Sequence, residues 1–396
     1  MATLYRTPWG TSWEPMTVDM WTWAGEPLGA VAGARKTSAS WSTREADLLE
    51  VTAPLTPENA SLLDVEGGVV LSVTLGGLTM LAQPAKVGLE ALDDDPKVGV
   101  IRAVASGGRS LLEGQIIVSD PGLPLSAQTE EEITISGPVE SVVKQILQWG
   151  AAATGHPIVV MPDQQRGPYV SVTGAMSTAA ELVEDALAGT GWWLDMPGWV
   201  PGLPQPEGMA LTAPTYLAEL RPYRDRPGLV WSVTAGDLDR WEIESSRATG
   251  TRAIVGEDLD DGFRYLEVAG IESSSPWHRR DVYVSASGGE DLEAAGRAEL
   301  AKRTATASAS VPLTPGAQWR LGDDHGPGAY RHGDRVIIDV PVLGQINQVV
   351  TEVTATVDEE RFSITPSVGP ADTVSHDIYK QMAQVGRRIA RLERER

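Results

Sequence analysis

The sequence contains no cysteine, so it can carry no disulfide framework, no thiolate metal site and no cysteine nucleophile. That fits a reducing compartment or indifference to redox conditions. No run approaches the ~20 consecutive apolar residues that a membrane-spanning helix requires. The opening Met1-Ala2-Thr3-Leu4-Tyr5-Arg6-Thr7-Pro8-Trp9 lacks the charged start and apolar stretch of a signal peptide. Positive charge is scarce: 32 Lys and Arg against 54 Asp and Glu leave a net charge of −22. Such a body repels phosphate, which argues against a general basic surface for nucleic acid or an anionic membrane. Phe is nearly absent, with two against thirteen Trp. Trp in that excess suits sugar stacking, but equally a Trp-rich core and subunit interface.

Catalytic signatures are missing too. There is no Gly-x-Ser-x-Gly elbow, no His-Glu-x-x-His helix and no Gly-x-x-x-x-Gly-Lys phosphate loop. The five histidines, His156, His278, His325, His332 and His376, form no pair at ligand spacing on one helix. Asp323-Asp324-His325 reads as a solvated loop tip. Asp258-Leu259-Asp260-Asp261-Gly262 reads as a hairpin turn, because Ala269 stands where a calcium loop needs its bidentate glutamate. Carboxylates are abundant, yet nothing singles out two of them as a glycosidase pair. No catalytic, metal or cofactor-binding residue is therefore assigned, and no cofactor is expected.

What is present is a helix-rich stretch between two β-rich ones. Glu132-Ile133-Thr134-Ile135 is β-like, and Ser136, Gly137 and Pro138 suit a cap and first turn. Val139, Val142, Val143, Ile146 and Leu147 then recur at helical spacing until Gly155-His156-Pro157. Two strand-like runs follow, Ile158 to Met161 and Tyr169 to Val172. A second helix opens at Thr178 with Glu181 as its capping-box partner and ends at Gly189 and Gly191. Trp192 to Met196 reads as a closing strand, so the order β-α-β-β-α-β predicts a split βαβ module. Trp192-Trp193 and Trp199 could stack on sugars beside the loop Pro197 to Pro206, although the pair suits a core and Trp199 chance exposure.

On either side the pattern is of short strands. Before the module they fall at Met16 to Trp23, Ala39 to Trp41, Leu48 to Thr52, Val69 to Leu75, Leu78 to Leu81, Val98 to Val104 and Leu111 to Val118. After it they fall at Val230 to Val233, Trp241 to Glu244, Arg252 to Val255, Tyr265 to Val268, Ala305 to Val311, Arg335 to Val340, Gln348 to Val357 and Arg361 to Thr365. A helix at Asp291 to Arg303 interrupts the second set. The expected fold class is α+β, mainly β, with two β-barrel-like domains flanking the α/β module and a C-terminal helix. The boundaries are 1–15 for an N-terminal arm, 16–125 for the first β domain, 126–225 for the module, 226–370 for the second β domain with a helical insertion at 289–304, and 371–396 for the final helix.

That final segment differs in kind. Val374, Ile378, Met382, Val385, Ile389 and Leu392 recur at nearly heptad spacing, beside Lys380, Arg387, Arg388, Arg391, Arg394 and Arg396. Such a helix can pack on its own domain, and Ile378, Met382, Val385, Ile389 and Leu392 are otherwise the expected seam for self-association or for a partner helix.

Two stretches carry a resemblance: Tyr330-Arg331-His332-Gly333-Asp334-Arg335-Val336-Ile337-Ile338-Asp339-Val340, and Val353 to Gly369 with its Pro366-Ser367-Val368-Gly369 ending. With the order of parts, and the pattern from Trp41 to Leu81, they resemble the tail hub family of long-tailed siphophages, baseplate hub-like minor tail proteins. The resemblance spans about Met16 to Gly369. It implies a structural virion protein at the tail tip, assembled in the host bacterial cytoplasm. Such hubs form homotrimers whose paired β halves make a pseudo-sixfold ring. The implied partners are a distal tail or tail tube protein above and a tail tip or central fibre protein below. DNA would only pass through the lumen during ejection, and no membrane partner is implied. Larger relatives append peptidoglycan-cutting domains, so a chain stopping at Arg396 is expected not to be an enzyme. A receptor- or carbohydrate-binding tail protein and a β-rich hydrolase are the alternatives.

Overall fold

A computed structural model describes residues 4–6, 13–64, 68–91, 99–120, 123–130, 132–238, 242–259, 262–269, 277, 279–286, 292–303, 306–310, 313, 319–322, 328–340, 344–358 and 362–369. The fold is mainly β with few helices. Among the described residues the largest sheet has thirteen strands. Its path runs Glu242–Ser246, Thr306–Ser310, Phe362–Gly369, Gly344–Val357, Lys36–Ser42, Leu48–Pro54, Gly99–Ser106, Leu78–Ala91, Val69–Leu75, Val18–Thr22 and Pro27–Ala30. Asp334–Val340 branches from Gly344–Val357, and Arg224–Ser232 lies parallel to it.

Neither half closes into a barrel among the described residues; they join edge to edge instead. Lys36–Ser42 pairs antiparallel with Gly344–Val357, from Thr37 opposite Val357 to Ser42 opposite Glu352. Ala39 and Trp41 turn inward with Val353 and Ala355. On the other face hydroxyls pair across the join, Ser38 with Thr356 at 3.1 Å and Ser40 with Thr354 at 2.9 Å. Alternation in one strand specifies which face is buried, not which strand lies at its edge, and so the barrel expectation exceeded what the pattern carried. One core serves both halves: Trp41, Leu49, Leu71, Met80 and Ile101 share it with Trp231, Tyr330, Ile338 and Val353. Trp231 and Tyr330 meet edge to face at 5.1 Å.

The module has its own core, built on α1 (Val139–Thr154) and α2 (Ala179–Leu187). Helix α2 opens with the expected capping box between Thr178 and Glu181. Helix α1 is stopped by Gly155 in the left-handed region, φ +71°, where glycine carries no Cβ penalty. Its start differs from expectation. Pro138 is the cap and offers no side-chain bond; the N–H groups of Val139 and Glu140 donate instead to the carbonyls of Pro168 and Arg166.

The module's strands form two small sheets rather than one. Ile133–Pro138 pairs antiparallel with Tyr169–Gly174. In the other sheet Thr215–Pro222, absent from the sequence expectation, is central: it pairs parallel with Ile158–Val160 and antiparallel with Trp192–Asp195. A second strand beyond expectation, Asp281–Ala286, joins Arg252–Leu259 and Gly262–Ala269 in a three-stranded sheet. Helix α3 (Leu292–Lys302) covers one face of it, packing Leu292 and Leu300 on Ala253, Val255 and Val268. The strand expected at Leu111 to Val118 is instead a 3-10 turn, Gly108–Gly114, followed by an isolated bridge from Ile116 to Thr178. Residues 371–396, with Ile378, Met382, Val385, Ile389 and Leu392, lie outside the described residues, as do His278, His376 and Asp323-Asp324-His325.

Candidate functional site: the charged seam under the module

The module meets the large sheet through charge. Asp195 ends strand Trp192–Asp195 and is buried. Arg331 Nη2 donates to its Oδ2 at 2.6 Å, Arg221 Nε lies 2.9 Å from the same oxygen, and His332 Nε2 lies 3.7 Å from Oδ1. The guanidinium of Arg331 stands 5.5 Å above the Trp193 ring, and the His332 ring meets that indole edge-on at 4.9 Å.

The turn that delivers Arg331 and His332 is built by the next two residues. Gly333 has φ +87°, and a Cβ there would fall 2.6 Å from Trp193 Nε1. Asp334 accepts from the Arg331 N–H at 3.0 Å and from the Arg224 side chain at 2.6 and 2.8 Å. Arg224 opens the strand by which the chain leaves the module, so Asp334 holds the turn and the exit strand together. Arg109 adds a third tie, donating to the carbonyl of Arg44 at 2.7 Å and to that of Leu194 at 2.5 Å. Nearby, Asp47 accepts from the Ser42 N–H at 2.9 Å.

The electrostatics follow from burial and partners. Burial alone would raise the Asp195 carboxyl, but Arg331, His332 and Arg221 outweigh it and hold it well below the usual range. Burial lowers His332, more than its contact with Asp195 raises it. Asp47 goes the other way, pushed up to about 7 by burial.

A second buried network ties the loop 162–168 over the start of α1. Arg166 grips Glu140 with Nε to Oε2 and Nη2 to Oε1, both at 2.8 Å, and Lys144 Nζ reaches Oε1 at 2.7 Å. Glu219 of the central strand closes the group, 2.9 Å from Arg166. Burial raises the Glu140 carboxyl, but the hydrogen bonds from Arg166 and Lys144 outweigh it and bring it to about 2.

These charges are spent on one another. What the arrangement does is fix an angle, because ion pairs and forked hydrogen bonds are directional where apolar contacts can slide. Among the described residues no group of three or more His, Asp or Glu side chains is placed to hold a metal. The Trp residues considered for sugar stacking are mostly core: Trp193 is 3% and Trp199 4% exposed. Trp199 is not exposed by chance, since its indole N–H donates to the Pro204 carbonyl at 3.0 Å inside the loop. His156 is tied to Gln115 at 2.9 Å.

Sequence reasoning missed Asp195, Arg331 and Arg109, which lie far apart in the chain and follow no local spacing. Glu140 and Lys144 did carry a signal, the i, i+4 pairing on a helix. That spacing normally marks an exposed pair, and only the partners Arg166 and Glu219 make its burial sustainable.

The family model described as Siphovirus ReqiPepy6 Gp37-like protein matches residues 17–370. No curated protein matches the chain. Among solved structures, the 43 kDa tail protein of prophage MuSo2 from Shewanella oneidensis superposes with a TM-score of 0.53 at 12% identity, covering 90% of this chain and 98% of that one. The tail protein from Neisseria meningitidis MC58 gives 0.52 at 12% identity over 89% and 96%. Prophage tail protein gp18 from Listeria monocytogenes EGD-e gives 0.51 at 13% identity over 94% and 99%. At these identities the likeness is one of architecture.

Proposed function

The chain belongs to the family of Siphovirus ReqiPepy6 Gp37-like proteins, and from that premise we propose that it is a structural subunit of a siphophage tail, the hub between tail tube and tip. The observation that carries this reading is the end-to-end likeness to three tail proteins, each matched over at least 96% of its own length. Three copies would form a ring. Within each copy, residues 16–125 and 226–370 would supply the two β halves of a pseudo-sixfold upper face for the distal tail or tube protein. Residues 126–225 would stand between them as the α/β module. The lower, threefold face would take the tip or central fibre, and residues 371–396 would bundle there through Ile378, Met382, Val385, Ile389 and Leu392. A net charge of −22 suits a channel wall along which DNA slides, since an acidic surface repels phosphate. In this role the chain has no catalytic step to perform.

A rigid seam supports the reading. A ring subunit transmits position from one neighbour to the next, and the Asp195 cluster fixes the module on the sheet. The test is the mass and shape of the purified protein, by light scattering on a sizing column with particle imaging. A three-chain ring with a central hole is the expected result, and Ile389→Asp should weaken it, because a seam charge must be desolvated. A protein that stays monomeric under all conditions and binds no tail component would overturn the proposal.

A further inference from the structure

We propose that the open face of the three-stranded sheet is a saccharide-binding platform made by Tyr265, Tyr283 and Gly256. This goes beyond the assembly role and stands on different residues.

Helix α3 covers the face carrying Ala253, Val255 and Val268. Alternation sends the neighbouring positions to the opposite face: Arg252, Ile254 and Gly256 from the central strand, Tyr265 and Glu267 from one side, Asp281 and Tyr283 from the other. On that face Tyr265 is 61% and Tyr283 62% exposed. The outer strands are separated by about 10 Å, two interstrand spacings, yet the two phenols converge. A Cβ built on Gly256 would fall 2.5 Å from Tyr283 Oη and 3.1 Å from Tyr265 Cε1.

A mid-strand glycine weakens a sheet and often marks close approach of a ligand or of another group. Here it is the residue that lets both rings lie down. Covering a strand glycine is a task one aromatic ring performs by itself; here two rings, most of their surface in water, converge over it.

The rim is polar and rigid. Arg252 donates Nε to Asp281 Oδ1 at 2.8 Å and Nη2 to Oδ2 at 2.5 Å, and its Nη1 lies 3.0 Å from Glu267 Oε2. Carboxylates and a guanidinium held beside the two rings offer hydroxyl-binding groups next to a surface for the C–H face of a sugar. Among the described residues the apolar area of this face is confined to two rings and Ile254, too little for the hydrophobic centre of a protein interface but of sugar dimensions. Exposed carboxylates on a chain of net charge −22 select against acidic glycans, so the ligand class is a neutral, hydroxyl-rich saccharide.

The test is titration calorimetry of the full chain with soluble neutral oligosaccharides of glucose, galactose, mannose, rhamnose and N-acetylglucosamine, with oligogalacturonate as the acidic comparison. We expect at least one neutral oligomer to bind with a millimolar or tighter constant. Tyr265→Ala and Tyr283→Ala should each weaken it roughly tenfold at unchanged circular dichroism, and Trp23→Ala, at an exposed indole outside this sheet, should leave it intact. Absence of binding to every neutral oligomer at ~10 mM, or binding that both tyrosine variants keep, would overturn the proposal. Ring formation is measured separately, so either reading can fail alone.

Discussion

Arg331 and Asp195 stand 136 positions apart in the chain and meet inside it, guanidinium to carboxylate at 2.6 Å, both buried. One comes from a turn of the large sheet and the other from the end of a module strand. Truncating one partner of a buried pair costs more than the pair is worth, because the other charge is left behind. Arg331→Met should therefore lower stability by about 3–5 kcal/mol, less whatever the half-exposed Arg221 recovers. Asp195→Asn combined with Arg331→Met should lie closer to the wild type than the sum of the single variants. Urea denaturation of the four proteins completes the cycle.

Asp47 predicts a pH effect of the opposite kind to most carboxylates. Burial raises its carboxyl to about 7, above the ordinary unfolded value near 4. The folded state then holds a proton that the unfolded state has lost, so this group's contribution falls as pH rises from about 4 to about 7. Asp47→Asn keeps the acceptor for the Ser42 N–H and removes the ionisation. It should raise the melting temperature at pH 8 and leave it nearly unchanged at pH 4. Equal effects at both values would contradict the burial argument.

Glu140 behaves the other way. Its folded value of about 2 lies below the ordinary one near 4.3, so its contribution is present above pH 4.5 and lost as pH falls toward 2. In Glu140→Gln that acid limb should flatten. The variant should also lose about 3 kcal/mol at pH 7, because Lys144 stays buried without its closest anion. Chemical denaturation at a series of pH values would show both.

Gly333→Ala tests the turn. The left-handed backbone costs a non-glycine residue about 1–2 kcal/mol, and a Cβ pushed against Trp193 adds about 1–3 kcal/mol of overpacking. Near-ultraviolet circular dichroism should report the displaced indole, and thermal unfolding the loss. An alanine variant as stable as the wild type would show that the turn relaxes without strain.

Most single elements were legible because their determinants are local. Thr178 and Glu181 announced α2, Gly155 ended α1, and Val69 to Leu75 is an apolar-rich run that ends at two glycines. Thr215–Pro222 was legible too, since Tyr216, Ala218 and Leu220 alternate inward, but the preceding proline-rich loop masked it. What no local rule supplies is partnership. Nothing in Ser38 or Ala39 names residues 355–356 as neighbours, and nothing in Asp195 names Arg331. The two β halves were thus recognisable as runs of strands while their union in one sheet was not. The seam, whose turn lies within the stretch Tyr330 to Val340 that carried the family resemblance, was visible as a pattern before its ion pairs gave the reason for it.

The pairing of Ser38 with Thr356 spans 318 positions, and it sets an order of events during synthesis. Strand Lys36–Ser42 leaves the ribosome early, but its neighbour in the sheet is made some three hundred residues later. At ~5–20 residues per second that strand waits for tens of seconds with one edge unsatisfied, while the module between can already gather its own core. Long-range pairings of this kind are slow to form and expose the chain to misassociation meanwhile. Protein made rapidly at high temperature should therefore partition into aggregates more than protein made slowly in the cold, although the finished fold is the same.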